Sequence, residues 1–304
     1  MNVFDDTEDT DLAVKSFMRS GEICRRVREE GAKLVMIDAS LLEAAEEIEE
    51  LIRKAGGEPA FPCNISVNEQ AAHSTPSFGD KQVFGEKDVV KLDLGAHVDG
   101  FVADTAITID LSGENGKLVE ASKTALDNAI SIIHAGAQTR DIGSEIASAI
   151  ESYKFKPIRN LSGHGVGEYV VHMEPSIPNY RTPHTVELKE GDVIALEPFA
   201  STGAGMIRED RRTEIFSFER PSPVRNQTAR QIIEHVASDR QNLPFAERWL
   251  YKRWPEFSIK LALRELLTSN AFRGYPILKE DRGTLVSQHE HTLIVEKDSC
   301  KVIT

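Results

Sequence analysis

The 304 residues carry 36 Lys and Arg against 49 Asp and Glu, a formal charge of −13, which argues against a protein that coats nucleic acid, because phosphate would be repelled. A hydrophobic fraction of 40% and a charged fraction of 28% suit one large domain or two of ordinary size, and no apolar run approaches the roughly 18 residues of a membrane span, so neither DNA nor a membrane is an expected partner. Cys24, Cys63 and Cys300 lie far apart, which argues against a thiolate zinc site; with an acidic N-terminus that lacks a leader's basic and apolar regions, a cytoplasmic protein is expected.

Residues 10–31 read as a helix marked by Leu12, Phe17, Ile23 and Val27. Residues 39–54 are a clearer amphipathic helix: Leu42, Ala45, Ile48, Leu51 and Ile52 keep the helical period, the glutamate-rich face is expected to be solvated, and Gly56-Gly57 closes it. A strand is expected over 60–67, then a loop with Ala-Ala-His-Ser-Thr-Pro at 71–76. Residues 89–109 are two β-prone runs joined by Val98-Asp99-Gly100, a strong hairpin signal. Helices follow at 117–134 and 141–152, and strands at 158–161, 192–197, 213–217 and 284–295. Two helices then strands, twice over, predict an α+β fold of two related halves around one central antiparallel sheet, with helices behind it. Residues 219–282 interrupt this order. They open with Pro221 and Pro223, show helical patterns at 228–237, 244–252 and 258–267, and hold both Trp249 and Trp254. Their basic residues, Arg248, Lys252, Arg253, Lys260 and Arg264, are expected to be a solvated face, with a ribosome or nucleic-acid contact as the alternative.

Each run of the hairpin carries one acid unsuited to a half-buried strand, Asp93 and Asp104. If Asp99 and Gly100 form the turn, Asp93 opposes Ala106 and Asp104 opposes Gly95. The two acids then share a face as a diagonal pair, roughly 7–8 Å apart at the backbone. Two such carboxylates repel unless a proton or a cation lies between them; the bland reading is a pair of exposed hairpin acids. Three more polar residues lie on or beside expected strands: His164 between Gly163 and Gly165, Glu197 at the end of Val193-Ile194-Ala195-Leu196, and Glu290. His289 and His291 tempt a zinc reading, but on a strand they face away from Glu290. Four carboxylates and one imidazole favour Mn, Fe(II) or Co(II) and metal-assisted hydrolysis.

These segments resemble the methionine aminopeptidases, which share the pita-bread fold with the Xaa-Pro peptidases. The likeness rests on two aspartates eleven residues apart on a hairpin, Leu-Ser-Gly-His at 161–164, Glu-Pro-Phe-Ala-Ser-Thr-Gly at 197–203 and the stretch 288–292, in that order, so it spans nearly the whole chain. It implies a site of two divalent metal ions (Co, Mn, Fe(II) or Zn) held by Asp93, Asp104, His164, Glu197 and Glu290. Asp104 and Glu290 would bridge, Asp93 would chelate one ion, and His164 and Glu197 would complete the other. By the same resemblance His73 lies beside the substrate, His172 contacts the scissile carbonyl, Glu197 also shuttles a proton, and Phe61 lines the methionine pocket. The implied activity removes initiator methionine from nascent polypeptides whose second residue is small.

The 219–282 segment between Glu197 and Glu290 is similar to the winged-helix-like insertion of the type 2 enzymes, which divides the chain into a catalytic part, 1–218 plus 283–304, and that insertion. The short N-terminal region resembles the archaeal form, and a monomer is the expectation. Two positions depart from the family pattern: Ser74 stands where tyrosine is usual, and Met173-Glu174 where small residues are usual. The rivals are an Xaa-Pro aminopeptidase on the same fold, and a non-enzymatic homologue that binds RNA or ribosomes.

Overall fold

The computed structural model describes residues 8–304; residues 1–7, most of the acidic N-terminal stretch read above, lie outside them. The chain opens with α1 (Glu8–Gly31) and α2 (Leu41–Lys54). Ser40 starts α2 by accepting the backbone N–H of Glu43, the exchange that a Ser-x-x-Glu start provides. Short strands β1 (Glu58–Pro59), β2 (Asn64–Val67) and β3 (Gln70–Ala72) precede the long hairpin of β4 (Val89–Val98) and β5 (Phe101–Asp110). Its turn residues Asp99 and Gly100 have φ of 52° and 91°, the pair of positive values that a two-residue turn matched to strand twist requires.

The second half repeats the order. Helices α3 (Gly116–Ile130) and α4 (Thr139–Ser152) lead to β6 (Lys156–Pro157), β7 (Ser162–Gly167), β8 (Val170–Pro178), β9 (Val193–Leu196), β10 (Phe199–Ser201) and β11 (Arg208–Phe218). Residues 158–161, expected as a strand, link β6 to β7 instead. The glycine-flanked His164 lies within a strand, because Gly163 and Gly165 let neighbouring backbone close in. A Cβ on Gly163 would sit 2.6 Å from the Ala195 carbonyl oxygen, and one on Gly165 2.4 Å from that of Glu174.

Next come α5 (Gln227–Asp239), β12 (Phe245–Ala246), α6 (Glu247–Leu250), α7 (Glu256–Thr268) and β13 (Phe272–Lys279). The chain then returns with β14 (Val286–Gln288), β15 (Glu290–Val295) and β16 (Cys300–Val302). The run 284–295 is thus broken at His289 into strands of two different sheets. β13 was not legible as a strand; it joins β11 and β3 in a sheet ordered β12-β11-β13-β3.

The main sheet runs β1-β4-β5-β15-β9-β7-β8, with β2 on β4 and β16 on β15, and every pairing is antiparallel. β15 is the seam: it pairs with β5 of the first half and β9 of the second. Phe17, Ile23, Ile48 and Ile52 of the first helix pair pack on Leu92, Leu94 and Val102. Leu118, Ala125, Ile142 and Ile146 of the second pack on Ile194, Leu196 and Leu293. Residues of α5 and α7 form a separate cluster with Phe216, Phe245 and Phe272. Each helix pair covers one half of the sheet's back, so the opposite face is left to carry the polar residues.

Candidate metal centre

The register brings the five acceptor residues to one face. Asp93 opposes Ala106, and Asp104 opposes Gly95, as the turn position requires. Ala106 also opposes Glu290 across the seam, so Asp93 and Glu290 flank it in one row. One pleat along lies a second row. Asp104 is joined to Thr292, whose hydroxyl accepts the Asp104 N–H and donates to its carbonyl, each at 2.8 Å. Thr292 opposes Ala195, and Ala195 opposes His164. Glu197 follows Leu196, the partner of His291, and so comes up beside Glu290. Opposed residues and residues two apart share a face. His289 and His291 point to the other face, toward Ser122 and toward Arg28 and Thr304 respectively.

Donor atoms of Asp104, His164 and Glu290 lie within 4.8 Å of one another, and His164 Nε2 is 3.5 Å from Glu197 Oε1. The carboxylates are oriented by two amides. Asn64 Nδ2 donates to Asp93 Oδ2 at 3.4 Å, and Gln288 Nε2 to Glu290 Oε2 at 3.1 Å and Glu197 Oε2 at 3.3 Å. Asp93 Oδ1, Asp104 Oδ1 and Glu290 Oε1 are buried without a hydrogen-bond partner. Burial pushes the Asp93 carboxyl up to about 7. It raises Asp104, Glu197 and Glu290 well above the usual carboxylate range, and their mutual repulsion, including that from Asp93, adds to it. Burial, then the neighbouring His172, holds the His164 imidazole down at about 3, so it is neutral with a lone pair to give. Four crowded carboxylates, three orphaned oxygens and a neutral imidazole call for protons or a cation, and the all-oxygen-and-nitrogen donor set fits hard divalent cations.

The cluster forms the floor of a cavity of about 570 Å³. Phe61 is one wall. Its ring lies over Gly95, where a Cβ would be 2.3 Å from Cε1, so the glycine opposite Asp104 is what admits the aromatic. His73, with φ of 58°, stands edge-on to Tyr275 at 5.6 Å; burial, then His172, pushes its imidazole down to about 4. The His172 ring is 4.4 Å from that of His164. Met173 and Glu174 are exposed and line the same cavity. Ser74 is buried and bonded to Gln70 at 3.0 Å, outside the lining.

Sequence reasoning did not single out Asn64, Gln288, Gly95 or Tyr275. Asn64 had a legible signal only through the β2–β4 pairing, which sets it opposite Asp93. Two expectations are corrected. Glu49, on the glutamate-rich face of α2, and Arg248, in the basic segment, are 3% and 4% exposed and form a buried ion pair. Each escapes the solvated face by neutralising the other. Lys252, Arg253, Lys260 and Arg264 are exposed, as expected.

The chain is similar along nearly its whole length to known proteins. A methionine aminopeptidase of Pyrococcus horikoshii is 48% identical over 294 residues, which is 96% of this chain and 100% of that one. The crystal structure of a methionine aminopeptidase from Thermotoga maritima has a TM-score of 0.71 at 23% identity, covering 98% of each chain. A thermophilic Arx1 has a TM-score of 0.83 at 17% identity, covering 98% of this chain and 91% of that one. At such identities the two structures speak for the fold alone, the pita-bread arrangement of two halves. The sequence pattern of metallopeptidase family M24 matches residues 15–219, a span that includes Asp93, Asp104, His164 and Glu197, and on this match and the near full-length relative the chain belongs to metallopeptidase family M24.

Proposed function

We propose that the protein removes N-terminal methionine from nascent polypeptides whose second residue is small, as a type 2 methionine aminopeptidase using two divalent cations. The observation that carries the removal of methionine is the 48% identity along the full length of a methionine aminopeptidase; the type 2 assignment rests on the 219–282 segment. The one-faced cluster of five donors supports the proposed reaction. In this reading Asp93, Asp104, His164, Glu197 and Glu290 would hold the cations. When bound, such cations supply Lewis acidity and activation of water at neutral pH. The residues do the rest. Phe61 and the cavity wall hold the methionine side chain, and the free α-amine lies against Asp93. Glu197, 3.5 Å from His164 at the cavity floor, takes and returns a proton. His172 donates a hydrogen bond to the scissile carbonyl oxygen where charge develops. His73 donates to, or helps protonate, the scissile nitrogen.

The same proposal makes 219–282 a winged-helix-like subdomain on a catalytic domain of the remaining residues, and the protein a cytoplasmic monomer. No helix among the described residues is long and apolar enough to cross a membrane. The test is hydrolysis of Met-Ala-Ser by metal-stripped protein resupplied with Mn, Co, Fe(II) or Zn, with Met-Pro and Ala-Pro peptides alongside. Release of methionine only when metal is present is expected. Cleavage confined to Ala-Pro moves the assignment to the Xaa-Pro peptidases.

A further inference from the structure

Two arginines of the 219–282 segment reach out of it and grip the loops that carry the cavity's walls. Arg240 donates to the carbonyls of Pro59 at 2.7 Å and Ala60 at 3.1 Å, directly before Phe61. Arg248 bridges further. One terminal nitrogen meets Glu49 of α2, and the other donates to Thr75 Oγ1 at 2.6 Å and the Pro76 carbonyl at 3.2 Å. The ring closes on itself: Glu49 accepts the Cys63 N–H at 3.1 Å and the Trp249 indole N–H at 2.9 Å, and Thr75 Oγ1 donates to the Cys63 carbonyl at 2.8 Å.

The segment that leads into this ring is conformationally unusual. His73 is a non-glycine residue in the left-handed region, at φ 58°, and such a residue persists only where its surroundings over-determine it. On one side β3 anchors it through the Ala72 to Leu278 pairing. On the other, the Ser74 carbonyl accepts the Ile65 N–H at 2.7 Å, and the next residues, Thr75 and Pro76, are the ones Arg248 holds. The guanidinium's planar fork meets the carboxylate through one terminal nitrogen and two loop acceptors through the other, a spacing that a single ammonium nitrogen does not reproduce.

We propose that Arg248 is a positioning residue for His73, so that the 219–282 segment fixes the geometry of the reaction through the Glu49–Arg248–Thr75 ring rather than by touching substrate. This rests on the reading of His73 given above. It is tested with Thr75→Val, which removes the hydroxyl and leaves the buried ion pair whole, with Thr75→Ser as the conservative rescue and Arg248→Lys as the second variant. Methionine release from Met-Ala-Ser by the zinc-loaded protein gives kcat and KM. The imidazole Cε1–H resonance of His73, assigned by its absence in His73→Ala, reads the ring's position without turnover.

Thr75→Val is expected to lower kcat roughly tenfold, as small misplacement of a reacting group does, with KM changed less than about twofold. Thr75→Ser should restore kcat, and the His73 resonance should shift or split in Thr75→Val and Arg248→Lys. Combined with His73→Ala, Thr75→Val should cost nothing further. An equal loss of kcat with and without His73 overturns the proposal in favour of a merely structural role. So does an unmoved resonance in both variants. If the wild-type protein releases no methionine, it is the functional reading that has failed, and the resonance alone decides whether the brace holds His73.

Discussion

Gly95→Ala isolates the packing that admits Phe61 to the site. The backbone at Gly95 is ordinary extended strand, so a methyl group adds only bulk. That bulk has nowhere to go: a Cβ would be 2.3 Å from Phe61 Cε1 and 2.9 Å from both Cδ1 and Cζ. Ordinary contact begins near 3.4 Å, so the ring must retreat by about 1 Å, the difference between the two distances. Phe61 is 6% exposed, and the Ala60 N–H is bonded to the Gly95 carbonyl at 2.9 Å, so neither ring nor backbone has slack. Overpacking of this kind costs about 1–3 kcal/mol, or about 1.6 °C of Tm per kcal/mol for a chain of 304 residues. The displaced ring also reshapes the proposed methionine pocket, where the loss of one methylene's fit is about 10-fold or more in kcat/KM. Thermal unfolding and Met-Ala-Ser turnover at matched metal content measure both effects. Adding Phe61→Leu should return part of the lost stability, because the clash is with the ring. An unchanged melting temperature with unchanged kcat/KM, or strict additivity of the two substitutions, refutes the reasoning.

Asp104→Asn and Glu290→Gln each remove a charge whose oxygen has no protein partner; metal affinity should fall by more than the roughly 10–100-fold seen for outer-shell partners, and full metal content in either variant would sink the ligand assignment. Gln288→Leu deletes the amide shared by Glu197 and Glu290 and should weaken metal binding by about 10–100-fold while leaving the fold intact, as titration with zinc and circular dichroism will report. Burial, then Arg240, holds the His97 imidazole down at about 4, where its Nδ1 accepts the Gly100 N–H. The unfolded chain then binds more protons than the native one, so stability falls as pH drops from about 6.5 toward about 4, by up to about 3 kcal/mol. In His97→Gln that part of the decline should vanish from urea titrations across the same pH range; a slope equal to the wild type's would rule His97 out as its source.

The hairpin was legible to the residue because a two-residue turn leaves one register, and the register alone aligns Asp93 with Asp104. The outward turn of His289 and His291 followed from strand alternation in the same way. What depends on distant pairing was not legible. Strand β13 is Phe-Arg-Gly-Tyr-Pro-Ile-Leu-Lys, whose Gly274 and Pro276 mask its pattern, and it is a strand because β11 and β3 lie on either side. Glu49 and Arg248 each read as ordinary surface charge, since their partnership joins residues 199 apart in the chain. Local pattern carries the sign of a side chain; only the fold says which opposite sign it meets.

The seam strand has a consequence for how the molecule comes into being. Asp93, Asp104, His164 and Glu197 all leave the ribosome before Glu290. Until β15 arrives, β5 and β9 present open edges over buried apolar residues, and four carboxyl and imidazole groups wait without their fifth. Open edges of that kind invite pairing with other chains. A chain stalled short of residue 290 would therefore leave the inner edges of β5 and β9 unpaired, and the one late strand β15 completes both the sheet and the cluster of five polar residues.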